Sequence, residues 1–136
     1  MGGVVNCRQA LEVGLFSITP AIATAWENQP YTPITGTPYQ RVHFIPNKPQ
    51  NITMGRDHYR AHGILYIELN YPLNNGSVTA ATRAEVIENK FKRGESFVNG
   101  GITVHIGDTP FTDKGRATDA FWVLPVTIYW YADINV

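Results

Sequence analysis

Only one cysteine, Cys7, occurs among the 136 residues, so no intramolecular disulfide can form and nothing suggests a stapled secreted fold. An excess of either charge is missing too. Eleven basic residues face eleven acidic ones, whereas a protein that grips nucleic acid by neutralising phosphates carries a clear basic surplus. The densest basic group, Lys90, Lys92 and Arg93, sits at the expected end of a helix, where the helix dipole accounts for it. Long apolar runs are absent: the longest, near residues 121–132, is too short and too interrupted to span a membrane. Residues 1–6, MGGVVN, lack the basic start and apolar run of a secretory signal, so a soluble protein made in the cytoplasm is expected. The motifs of common chemistry are missing as well. There is no G-x-S-x-G elbow and no H-E-x-x-H. Asn99-Gly100-Gly101 lacks the lysine and helix of a phosphate loop and reads as a turn before a strand. No catalytic residue and no cofactor is therefore expected.

What is present fits one domain over residues 1–136, with an apolar content of 43%. Cys7, Leu11, Leu15, Ile18 and Ile22 recur at helical spacing and place a first helix at about residues 4–18, shortened there because of Pro20. Cys7 lies on that stripe and reads as a small buried hydrophobe. Residues 26–38, WENQPYTPITGTP, form an ordered extended linker whose Trp26 and Tyr31 need a surface to pack on. Residues 39–45, YQRVHFI, make a strand that ends at Pro46. A second strand, 64–71, alternates, with Leu65, Ile67, Leu69 and Tyr71 on one side and Tyr66, Glu68 and Asn70 on the other. After a turn at residues 72–76, Ser77 caps a second helix that runs to about Phe91 and is stopped by Gly94. Its core face carries Ala80, Ala84, Ile87 and Phe91. Ile102, Val104 and Ile106 define a third strand, and residues 121–132 a fourth, with Trp122, Leu124, Val126, Ile128 and Trp130 facing inward. Pro125 cannot donate to a ladder and belongs on an edge or at a bulge.

This order predicts an α+β fold: a two-layer sandwich of a mostly antiparallel four-stranded sheet with two helices on one face. The other face then carries Tyr66, Glu68, Thr103, His105, Thr127, Tyr129 and Tyr131. Tyrosine-rich surface of mixed polarity is the composition of a contact surface, although tyrosine also simply favours strands.

Residues 56–62, RDHYRAH, set His58 and His62 four apart beside Asp57. Two such histidines meet on one face of a helix, yet glycines flank the stretch and a strand follows. A zinc site also needs further ligands, and no second His or Cys pair is present. The reading preferred here is a charged arm within a long polar loop, residues 46–62, at the tip of a hairpin. Arg56, His58, Tyr59, Arg60 and His62 are its contact residues. A plain solvated loop is the bland alternative, and a small metal-dependent hydrolase using Asp57, His58 and His62 is the alternative of another class.

Several stretches together resemble a known family: Ala10-Leu11-Glu12, ENQPYTPITGTPYQRV, HGILYIELNYPLNNGS, FKRGESF, GGITVHI and VLPVTIYWYA, in this order from about residue 8 to 132. The chain resembles the tail terminator-like proteins of long-tailed bacteriophages and prophages, which are similar to the lambda-like tail terminator. The resemblance implies a non-enzymatic virion protein. Its subunits would close into a ring, expected to be a hexamer, on the head-proximal end of the tail. Such a ring ends tail growth and joins tail to head, with itself, the tail tube protein and the head-tail connector protein as partners. No nucleic-acid sequence and no membrane is among them, and the place of synthesis is the bacterial host cytoplasm. A monomeric head-completion or minor tail protein is the alternative within phage structure.

Overall fold

The computed structural model describes residues 3–19, 21–34, 36–51, 54–74 and 76–135. Two helices, α1 (Gly3–Phe16) and α2 (Val78–Lys90), accompany eight strands. These are β1 (Ala23–Ala25), β2 (Tyr39–Pro46), β3 (His58–Pro72), β4 (Ser96–Asn99), β5 (Ile102–Ile106), β6 (Phe111–Thr112), β7 (Arg116–Ala117) and β8 (Phe121–Asn135). The expected four-stranded antiparallel sandwich is corrected by the pairing. One mixed sheet runs in the order β1-β2-β3-β8-β5-β4, with β6 and β7 also on β8 and β1 parallel to β2.

The backbone of this sheet is a ladder of fifteen residue pairs between β3 and β8, from His58↔Asn135 to Pro72↔Phe121. Its unbroken register keeps odd residues of β3 and even residues of β8 on the helix side. Leu65, Ile67, Leu69, Val126, Ile128, Trp130 and Ala132 are buried there with Leu11, Leu15 and Ile87 of the helices and Phe91 at the C-cap of α2. Burial on this scale stabilises by about 1.5–3 kcal/mol per large apolar side chain. Cys7 is fully buried in the same cluster, and desolvation pushes its thiol up to about 11.

Four local expectations change. Helix α1 stops at Phe16, and Ile22 lies beyond it; Pro20 is outside the described residues. Ser77 precedes α2, but its hydroxyl makes no capping hydrogen bond. Asn75, in the turn before it, is outside the described residues, as are residues 52–53 of the polar stretch. Strand β3 starts at His58 rather than near Gly63, so most of the RDHYRAH stretch is ladder and not loop. Pro125 lies inside β8 opposite Glu68, but its own carbonyl accepts from Asp113 N–H on the other side. Its missing N–H therefore faces the interrupted β6–β7 flank, where a ladder bond is not required.

Gly63 has a specific steric reason. A Cβ there would lie 2.3 Å from the Ile45 carbonyl oxygen and 2.8 Å from Pro46 Cα, so only glycine lets β2 come this close. In the linker, Trp26 packs against the main core on the helix side, while Thr35 lies outside the described residues. Tyr31 packs on Tyr39, with ring centroids 5.0 Å apart, and covers a small second core of Ala25, Tyr39, Phe121 and Val123.

Candidate functional site

On β3 the side chains opposite the helices are His58, Arg60, His62, Ile64, Tyr66 and Glu68, and the register aligns them with the strands on either side. His43 of β2 is the partner of Tyr66, and Arg41 the partner of Glu68. Across β8, Arg60 meets Asp133, His62 meets Tyr131, and Tyr66 meets Thr127. His105 of β5 is the next neighbour of Tyr131. All four histidines of the chain thus share one sheet face with Tyr66, Tyr129, Tyr131, Arg41, Arg60 and Arg116. Among the described residues no strand contains a lysine.

The face holds two charged groupings. In the first, Arg60 donates to Asp133 through two bonds, Nε to Oδ1 at 2.9 Å and a terminal nitrogen to Oδ2 at 3.1 Å. Its guanidinium also stands 4.7 Å from the Tyr131 ring centre. His105 stacks on the same ring at 5.1 Å, and His58 Nε2 lies 3.6 Å from Asp133. The Arg60 hydrogen bond, reinforced by the charges of Arg60, His58 and His105, holds the Asp133 carboxyl below the usual aspartate range. In the second grouping, Glu68 joins His43 at 3.1 Å and Arg116 at 3.3 Å. Burial, with Glu68 second, pushes the neighbouring Tyr66 phenol up.

Beside the first grouping lies an open groove of about 340 Å³ lined by Arg60, His62, Ile64, Tyr129 and Tyr131, among others. Planar, partly covered aromatic and guanidinium groups in a shallow groove suit a protein surface better than a small-molecule cavity.

Of the residues singled out from sequence, the structure gathers His58, Arg60, His62, Tyr66, Glu68, His105, Tyr129 and Tyr131 on this face. It separates two others. Tyr59 points to the opposite side, packs against the main core and has its hydroxyl by Gly3 of α1. Arg56 is exposed in the bend before β3. The hydrolase ligand set is not assembled. His58 and His62 do share a face, but four strand positions put them about 13 Å apart, and the His62 ring nitrogen is engaged with the Lys48 carbonyl at 3.0 Å. Among the described residues no three His, Cys, Asp or Glu side chains converge on a point. Arg41, His43, Arg116 and Asp133 were missed. Asp133 lies one residue past the expected strand end, and Arg116 sits in a two-residue strand with no period to read.

The family model for phage tail terminator proteins matches residues 6–130. No curated protein matches the chain. A solved structure that carries no descriptive name shares the fold, with a TM-score of 0.72 and 21% identity over 95% of this chain and 92% of the other. The chain belongs to the phage tail terminator family, and its role is that of a structural protein of the phage tail.

Proposed function

We propose that the protein closes into a ring of six subunits at the head-proximal end of the tail tube, stops tube growth there and presents a surface for joining to the head. The observation that carries the reading, beside the family, is the make-up of the outer face. Three tyrosines and three arginines, without a lysine in any described strand, match the enrichments of protein contact surfaces, and four histidines lie among them. Tyr131, held between Arg60 and His105, is pre-ordered for such a contact and gives up little side-chain freedom on binding. In this reading the outer face meets the tube or the connector, and the site residues Tyr66, Glu68, His105, Tyr129 and Tyr131 are interface residues.

The test is electron microscopy of tails assembled with and without the protein. Defined lengths ending in a ring are expected with it, and irregular, overgrown tubes without it. Tails of normal length in its absence would contradict the reading. A Tyr131→Ala, Tyr129→Ala double variant that folds should fail to restore defined tail ends.

A further inference from the structure

The two ends of the sheet treat their backbone edges differently. At the β2 end little backbone is left open: the three-residue β1 pairs with Tyr39 to Arg41 and is the outer strand, Glu27 accepts the Phe44 N–H at 2.7 Å, and Pro46 has no N–H. The opposite end is open. Gly100 and Gly101, with φ of 56° and 78°, form the two-residue turn that makes Asn99↔Ile102 a bonded pair. Bonding then alternates through Phe97↔Val104 to Glu95, whose carbonyl accepts from Ile106 N–H. Ser96 and Val98 therefore aim their backbone N–H and C=O groups away from β5. No strand or side chain among the described residues meets them.

This open edge is stepped. Strands β5, β6 and β7 flank β8 in turn, opposite Trp130–Tyr131, Val126–Thr127 and Trp122–Val123, and so form one interrupted line. Strand β4 covers only the first part of that line, because its partners are residues 102–105. The edge of β6 and β7 is exposed one strand lower. Charge follows the step. Beside β4 stand Lys90, Lys92 and Arg93, none in an ion pair among the described residues, against Glu95 alone. The segment 107–120 that carries the lower edge holds Asp108, which also lines the outer-face groove, Asp113 and Asp119, against Lys114 and an Arg116 already held by Glu68. Each level also exposes a large apolar side chain, Val98 at 67% and Phe111 at 55%.

We infer that this stepped edge pairs with the same edge of a second copy of the chain. A two-fold axis normal to the sheet sets β4 of each copy, running parallel, beside β6 and β7 of its partner. It brings Lys92 and Arg93 of one copy toward Asp108 and Asp113 of the other. The contact is self-complementary, so it gives a closed dimer rather than open growth. It also covers an edge that would otherwise invite aggregation in the free protein. It differs from a ring contact, which needs two different surfaces, and so does not depend on the ring reading.

Native mass spectrometry and amide exchange on the full chain, over a concentration series up to about 1 mM, test it. The expected result is a dimer in which the Ser96 and Val98 amides become protected. Val98→Pro, which removes an N–H unused within the subunit, should weaken the dimer at least ten-fold. A Lys92→Glu, Arg93→Glu variant should weaken it as well, and adding Asp108→Lys and Asp113→Lys should restore it, a rescue that misfolding does not produce. A monomer at every concentration overturns the proposal. So does any oligomer that Val98→Pro leaves intact, and a six-subunit ring among such species would leave the ring reading standing.

Discussion

The closed and open ends of this sheet differ not in strand propensity but in what each backbone donor finds. At the β2 end a carboxylate seventeen residues away in sequence, Glu27, is brought in by the parallel β1 and shared between Phe44 N–H and Arg8. At the β4 end a tight glycine hairpin presents Ser96 and Val98 with no such provision. An edge strand in a stable monomer is normally blunted. Leaving one end open while closing the other marks the open one as a surface for another chain.

Variants can break this contrast, and the largest effect is expected at the closed end. Gly63→Val would force a side chain into the Ile45 and Pro46 backbone, which cannot swing aside. A loss of about 3 kcal/mol in urea unfolding is expected, at the upper end for overpacking, and a loss under about 1 kcal/mol would show that β2 is not held as described. Glu27→Ala comes next. It strands the buried-side Phe44 N–H and deprives Arg8 of its nearest carboxylate, for about 1–3 kcal/mol. Glu27→Gln keeps an acceptor for the amide and should lose less; an equal loss in both would assign the effect to charge alone.

A smaller, pH-dependent effect belongs to the pair that ties β3 to β8. Because Asp133 titrates lower folded than unfolded, its contribution is fully present above the unfolded carboxylate value and is lost as pH falls through the folded one. The pair is partly exposed, so the contribution is below about 1 kcal/mol. Asp133→Asn should narrow the gap between urea midpoints at pH 7 and pH 3, and an unchanged gap would remove Asp133 from the acid response. Smallest of all is Val98→Pro on the stability of the isolated subunit, under about 1 kcal/mol, since no internal bond uses that amide. The same change at Phe44 should be far more costly.

The core was legible where periodicity was long. Leu65, Ile67 and Leu69 alternate against the ladder as expected, and the helical stripe of Cys7, Leu11 and Leu15 is buried. The sheet was undercounted because β1, β4, β6 and β7 span two to four residues each and exist only through their partners. The start of β3 was hidden by composition. His58, Arg60 and His62 are the outward positions of a strand whose inward ones are Tyr59 and Ala61, and outward charge resembles a loop. The same parity makes most of the outer face readable from sequence. Its ion pairs are not readable, because Arg60 and Asp133 are 73 residues apart and Arg116 and Glu68 are 48 apart. The edge cap is illegible for the same reason.

Residue-resolved amide exchange on the dilute subunit tests the central contrast most directly. A Phe44 amide that exchanges orders of magnitude more slowly than those of Ser96 and Val98 is the predicted result. Equal protection at the two ends would contradict the account, because the β4 edge would then already be covered within a single chain.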